Sequence, residues 1–149
     1  TIYLPATDQP EKTGKEGAAY DFPGGKKILF MDDDNEIRKM AVKMIKLLNC
    51  EVTTVPDGES AITVFKEEYS KGSPFDAAIL DITIPGGVGG KEAIQNILAI
   101  DPLIKAVVST GYSNSPLVSE FKEHGFSAVI KKPYTFDELV KTMNDIFRN

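Results

Sequence analysis

The sequence predicts an α/β domain built on a doubly wound parallel sheet, and three observations carry that prediction. Short apolar runs recur from Lys26 onward, at 28–31, 52–55, 77–80, 105–109 and 128–130. Between them, apolar residues fall at helical spacing. Most of the runs also end on a chemically pointed polar residue. Five strand–helix alternations imply parallel strands joined by right-handed crossovers, with helices on both faces of the sheet.

The elements follow in order. The first apolar run, 28–31, stops at Asp32-Asp33-Asp34. Ile37, Met40, Ala41, Met44, Ile45 and Leu48 then recur at steps of three and one, the stripe of an amphipathic helix. After the second strand, Pro56-Asp57-Gly58 turns the chain. Asp57 is placed to cap a helix running to about Tyr69, with Ala61, Ile62 and Phe65 inward and residues 71–74 closing it. The third run, 77–80, has no helical spacing and reads as a strand buried on both faces. It ends on Asp81, and Pro85 and Gly86 prevent a long continuation. Asp81 therefore stands where a central strand gives way to a loop. In open parallel sheets ligands gather at that edge, although a residue that merely caps a turn reads the same way in isolation.

Beyond the glycine-rich stretch 86–90, Ala93, Ile94, Ile97 and Leu98 mark a third helix, which Asp101-Pro102 stops. The fourth strand follows, then a weaker helix over 116–124 that opens at Ser115-Pro116 and ends at Gly125. After the fifth strand, Thr135 caps a final helix that places Leu139, Val140, Met143, Ile146 and Phe147 on one face.

Residues 1–25 have a different character. Three prolines, four glycines and scattered charges without periodicity read as a linker or tail, leaving 26–149 as the folded domain. The whole chain of 149 residues is about one domain long, and 42% hydrophobic content supplies a core. A net charge of −5, from 22 acidic and 17 basic residues, argues against a nucleic-acid partner, which needs a basic face. Cys50 is the single cysteine, so neither an internal disulfide nor a cysteine-based zinc site is available, and a reducing compartment fits. No apolar run reaches the roughly 20 residues of a membrane helix, and no signal peptide is visible. The first residue is Thr1, which suggests a piece of a longer chain.

Chemistry collects at the strand ends. Asp32 and Asp33 follow the first strand, Asp81 the third, Thr110 the fourth and Lys132 the fifth, with Pro133 next to it. In a parallel sheet these ends share one edge, so three carboxylates, a hydroxyl and an ammonium meet in one crevice. Crowded carboxylates repel unless a cation intervenes. Oxygen-only ligands suit a hard cation, and Mg²⁺ takes one or two carboxylates together with water and phosphate oxygens. A cation, a lysine and a hydroxyl around one carboxylate form a site that can neutralise a phosphoryl group passing to that carboxylate, with Asp81 as nucleophile.

The motifs at 28–34 (ILFMDDD), 80–86 (LDITIPG), 109–112 (STGY) and 130–133 (IKKP), in this order and spacing, resemble the receiver domain of two-component response regulators from about Lys26 to the end. The resemblance implies a flavodoxin-like (βα)5 fold with strand order 2-1-3-4-5. It implies Asp81 as phosphoacceptor, Asp32 and Asp33 as the acidic pair that binds Mg²⁺ (or Mn²⁺), and a metal contact from the backbone carbonyl of Thr83. It makes Thr110 the switch hydroxyl, Lys132 the phosphate-binding lysine, and the bond before Pro133 cis. Two departures stand out. Val129 occupies the place of the usual switch aromatic, three residues before Lys132, and the 86–90 loop is unusually rich in glycine.

Residues 1–6 (TIYLPA) are similar to the closing strand of the ATP-binding domain of sensor histidine kinases. Together with the linker and the receiver, they imply the C-terminal receiver of a hybrid histidine kinase, a cytoplasmic domain whose parent chain is open to membrane anchoring. The implied partner is a dimerisation domain bearing phosphohistidine, in the same parent chain, or a histidine phosphotransfer protein. The domain itself would catalyse only its own phosphorylation and dephosphorylation. Two other functions compete with this reading. A phosphohydrolase with an aspartyl nucleophile wants a second Asp two residues on, where Thr83 stands; a docking module that is never phosphorylated does not need the intact acidic pocket. His124, before Gly125 at a helix end, reads as a surface cap rather than a phosphodonor. Asp34 reads as a helix N-terminal charge, and Lys131 as a solvent lysine.

Overall fold

The computed structural model describes residues 24–82, 90–111, 121–123, 125–132 and 134–148. Five strands run in the order β2-β1-β3-β4-β5, every neighbouring pair parallel. They are β1 (Lys27–Met31), β2 (Glu51–Val55), β3 (Ala77–Asp81), β4 (Lys105–Thr110) and β5 (Ala128–Lys131). Among the described residues the helices are α1 (Asn35–Leu47), α2 (Gly58–Ser70), α3 (Gly90–Ile100) and α4 (Phe136–Arg148). Fold class and strand order are those the sequence predicts. None of the described helices is long and apolar enough to cross a membrane.

Alternation along the central strands divides the core in two. Ile28 and Phe30 of β1, with Ala77 and Ile79 of β3, pack on one face against Ala41, Met44 and Ile45 of α1 and Leu139, Val140, Met143 and Ile146 of α4. Leu29, Met31, Ala78 and Leu80 point to the other face, against Ala61 and Phe65 of α2 and Ala93, Ile94 and Ile97 of α3. All five residues of β3 are buried, as expected of a strand covered on both sides.

Local signals set the helix ends. Asp34 caps α1 by accepting the Glu36 N–H, and Asp57 caps α2 by accepting that of Ser60. At α4 a reciprocal pair closes the first turn: the Glu138 N–H donates to Thr135 Oγ1 at 3.2 Å, and the Thr135 N–H donates to Glu138 Oε1 at 2.9 Å.

Besides one-residue extensions of β1, β2, β3 and β5, three details differ from the sequence reading. Met40, counted in the apolar stripe of the first helix, is 36% exposed: the buried face of α1 is narrower, centred on Ala41, Met44 and Ile45. Strand β4 runs one residue further than predicted, because Lys132 N–H donates to the Thr110 carbonyl and keeps β5 alongside it. Residues 121–123, the end of the weak predicted helix, form a turn. The rest of that helix, His124, Thr83, Pro133 and the tail 1–23 lie outside the described residues.

Candidate functional site

The strand order reverses between β1 and β3, and a crevice opens beyond the C-terminal ends of the strands there. Met31 pairs with Leu80, so Asp32 leaves β1 level with Asp81 at the end of β3. Asp81 in turn pairs with Ser109, and Thr110 with Lys131, which carries the edge across to Lys132. Backbone bonds extend the ladder past the strand ends: the Asp32 N–H donates to the Val55 carbonyl at 3.1 Å, and that of Ile82 to the Ser109 carbonyl at 3.2 Å. The sheet itself therefore positions the polar residues.

Asp32, Asp33 and Asp81 converge, each offering a carboxylate oxygen within 4.8 Å of the others. Asp32 and Asp81 are fully buried, whereas Asp33 is exposed at the mouth. Lys132 bridges the buried pair, its Nζ lying 3.0 Å from Asp81 Oδ2 and 3.1 Å from Asp32 Oδ2. Thr110 is fully buried at the adjoining end of β4. All the described residues nominated from sequence thus meet at one edge; the Thr83 carbonyl lies outside the described residues.

Burial pushes the Asp32 carboxyl above the ordinary carboxylate range, and the neighbouring charge of Asp81 adds to that. The Asp34 N–H and the Lys132 ammonium pull the other way without cancelling it. Burial also works against the charged form of Lys132, but its hydrogen bonds and attraction to Asp81 and Asp32 outweigh it and hold the ammonium above the usual lysine value. Three carboxylates with one lysine leave excess negative charge in a confined space. The donor set is all oxygen, with neither His nor Cys, and it fits a hard divalent cation.

Three other residues belong to the site, and the sequence reading passed over them. Arg38, on the first turn of α1, donates from Nη1 to the Asp32 carbonyl at 2.7 Å. Ser109 is fully buried at the end of β4, and its hydroxyl has no hydrogen-bond partner among the described residues. Tyr134, two residues after Lys132, buries a hydroxyl with no such partner either; burial, then the charges of Asp32 and Asp81, push its phenol upward. Tyr134 and Arg38 lie two to five positions beyond a site residue, but no motif or periodicity marks either one. Ser109 opens the 109–112 motif, but nothing in the sequence gives its hydroxyl a role.

This fold and this edge define a phosphoacceptor of the two-component kind. The response regulator receiver domain family matches residues 28–144, and the chain belongs to it. The chemotaxis protein CheY of Thermotoga maritima is 30% identical over 123 residues, which cover 82% of this chain and 98% of that protein. Other relatives are much larger: the chain spans 15% of transcription factor SKN7 from Chaetomium thermophilum, at 23% identity over 117 residues. Among solved structures, a CheY-like receiver domain protein from Methanospirillum hungatei superposes with a TM-score of 0.70 at 25% identity, covering 80% of this chain and 91% of that one. The receiver domain of a sensor histidine kinase from Pseudomonas aeruginosa, solved with a magnesium ion coordinated in its active-site cleft, gives 0.73 at 20% identity, covering 85% of this chain and all of that one.

Proposed function

We propose that Asp81 is the phosphoacceptor of this receiver, that Asp32, Asp33 and Asp81 hold Mg²⁺, and that Lys132 and Thr110 receive the phosphoryl group. The observation that carries the reading is the Lys132 ammonium bridging two fully buried carboxylates beside a third, exposed one. An Asp81 carboxylate oxygen attacks phosphorus in line with the donor. A P–O bond forms as the donor's P–N bond breaks, and the electron pair of that bond stays on the departing imidazole nitrogen. Mg²⁺, when bound, supplies charge neutralisation for the phosphoryl oxygens. Lys132 is already within 3.0 Å of the acceptor carboxylate and can pair with the new phosphate without travelling. The Thr110 hydroxyl, at the end of the neighbouring strand, is the group free of charge that can turn toward it.

Val129 is half-buried and packs with the core on the α2/α3 face, so no aromatic ring at that position reports the change. In this reading the readout runs through Thr110 and the segment that follows β4, by shifting an existing equilibrium. The finer assignments belong to the same proposal. The receiver occupies 26–149 behind a linker, in a cytoplasmic part of a hybrid histidine kinase. The donor is a phosphohistidine domain of that parent chain or a histidine phosphotransfer protein. Mn²⁺ is the alternative ion for the same three carboxylates.

The test is intact-protein mass after incubation with Mg²⁺ and acetyl phosphate, with Asp81→Asn alongside. The expected result is a single phosphate adduct on the wild type alone. An equal adduct on both proteins removes Asp81 from its role. No adduct on either, repeated with the partner kinase as donor, rejects phosphorylation altogether.

A further inference from the structure

We infer that Arg38 is a positioning residue for the metal-binding loop, holding Asp33 in place through the backbone rather than touching the ion. The inference rests on the proposed role of Asp32 and Asp33 as Mg²⁺ ligands.

Asp33 is the exposed member of the acidic trio, and its carboxylate must nevertheless stay within 4.8 Å of two buried ones. An exposed loop side chain has no packing to hold it there, so the backbone around it must be fixed. Three ties do this. Asp32 Oδ1 accepts the Asp34 N–H at 2.9 Å, folding the loop over Asp33. Asp34 Oδ1 accepts the Glu36 N–H at 2.9 Å and joins the loop to the start of α1. The third is Arg38: Nη1 donates to the Asp32 carbonyl at 2.7 Å, while Nη2 donates to Asn35 Oδ1 at 3.3 Å. Its own N–H bonds the Asp34 carbonyl at 3.0 Å, so the guanidinium reaches back across the turn from a fixed helical base.

The first two ties depend on the carboxylates of Asp32 and Asp34. Asp32 is itself a proposed ligand, and any rearrangement on metal binding strains its bond to Asp34. The Arg38 bond goes to a carbonyl that no ligand role disturbs, and the arginine is charged at every working pH. The planar fork matters as well, because one lysine ammonium does not reproduce two divergent donors in fixed geometry. Arg38 therefore keeps the peptide between Asp32 and Asp33 oriented whether the site is loaded or empty. Partners that orient metal ligands typically contribute about 10- to 100-fold in affinity.

The experiment uses the receiver as it stands and reads Mg²⁺ affinity by calorimetry for wild type, Arg38→Ala and Arg38→Lys. Urea unfolding in EDTA gives fold stability separately. Amide relaxation dispersion of residues 32–34, also in EDTA, reports loop order. The expected result for Arg38→Ala is roughly tenfold weaker Mg²⁺ binding, with new exchange broadening at Asp33 and Asp34 and a nearly unchanged urea midpoint. Arg38→Lys is expected to recover less than half of the loss in binding energy. Unchanged affinity and unbroadened amides in Arg38→Ala overturn the inference. So does full recovery by lysine, which would make the effect one of charge alone. If the wild type binds no Mg²⁺, the ligand reading falls first and this inference with it.

Discussion

Lys132 Nζ stands 3.0 Å from Asp81 Oδ2, tying the end of β5 to the end of β3 across the intervening β4. The same ammonium lies 3.1 Å from Asp32 Oδ2, and both carboxylates are fully buried. One cation therefore balances two buried anions while a third carboxylate waits at the mouth. Removing it leaves uncompensated buried charge. We expect Lys132→Met to lower stability by about 2–4 kcal/mol in EDTA at pH 7.5, measured by urea unfolding. Part of the loss should return on adding Mg²⁺, and part on acidifying, because burial raises the Asp32 carboxyl and lets it take a proton. An unchanged midpoint would mean that the ion pair contributes nothing net.

Asp33 offers the opposite case. Its exposure means that Asp33→Asn should leave unfolding in EDTA within about 0.5 kcal/mol of wild type. Its effect should appear only with Mg²⁺. At ten times its dissociation constant the ion adds about 1.4 kcal/mol to the wild type, a Tm rise of about 3–6 °C. The variant should show little of that rise in a thermal melt at the same Mg²⁺ concentration. An equal rise in both proteins would exclude Asp33 as a ligand.

Phe65 anchors the face of the sheet covered by α2 and α3. It is fully buried and stacks on Phe75, with ring centroids 5.9 Å apart, and on Tyr69 at 6.5 Å. Truncation to Ala should cost about 3–5 kcal/mol, measured by chemical denaturation. A cost below about 1 kcal/mol would show that α2 packs more loosely than this geometry.

Gly125 has φ +96°, and a Cβ placed there would strike the Leu98 side chain on α3. Gly125→Ala should therefore destabilise by about 1–2 kcal/mol from the backbone alone, with a further cost for displacing Leu98. Shortening Leu98 to Ala in the same chain should recover that second part but not the first. A double-mutant cycle separates the two.

Cys50 is a buried thiol, and burial pushes its pKa up, with the nearby charge of Asp76 adding to the effect. The folded state thus favours the neutral thiol. The sign follows from linkage: the contribution is fully present below the unfolded pKa of about 8.5 and disappears as pH rises through the higher folded value. Stability should decline above about pH 9, and Cys50→Ser should flatten that decline. At pH 8 iodoacetamide should label Cys50 only as fast as the protein unfolds. Labelling at the rate of a free peptide thiol would contradict the burial.

Much of this was legible in the sequence, for a physical reason that particular residues make plain. Strands covered on both faces must be apolar throughout, so Ala77 to Leu80 announce β3 without any tertiary knowledge. Parallel strands share one C-terminal edge, so Asp32, Asp33, Asp81, Thr110 and Lys132 could be placed together from their positions after apolar runs. Caps are local too, which is why Asp57 and Thr135 were readable as helix starts.

Only the tertiary structure decided the rest, because it depends on which surfaces meet. Met40 carries the helical period yet lies at the edge of the buried face, since the sheet covers only part of the circumference of α1. The burial and the neighbouring Asp81 charge that raise Asp32, and the exposure that sets Asp33 apart from it, come from how β1 and β3 sit side by side, although the two aspartates are adjacent in the chain. Neither the reach of Arg38 back to the Asp32 carbonyl nor the burial of the Ser109 and Tyr134 hydroxyls has a period or a motif. The sequence by itself determined the strand–helix alternation and the edge on which the chemistry gathers, because burial and chain connectivity act along the chain. Tertiary packing alone determined the charge balance within that edge, because electrostatic energies depend on distances of a few ångströms between residues far apart in sequence.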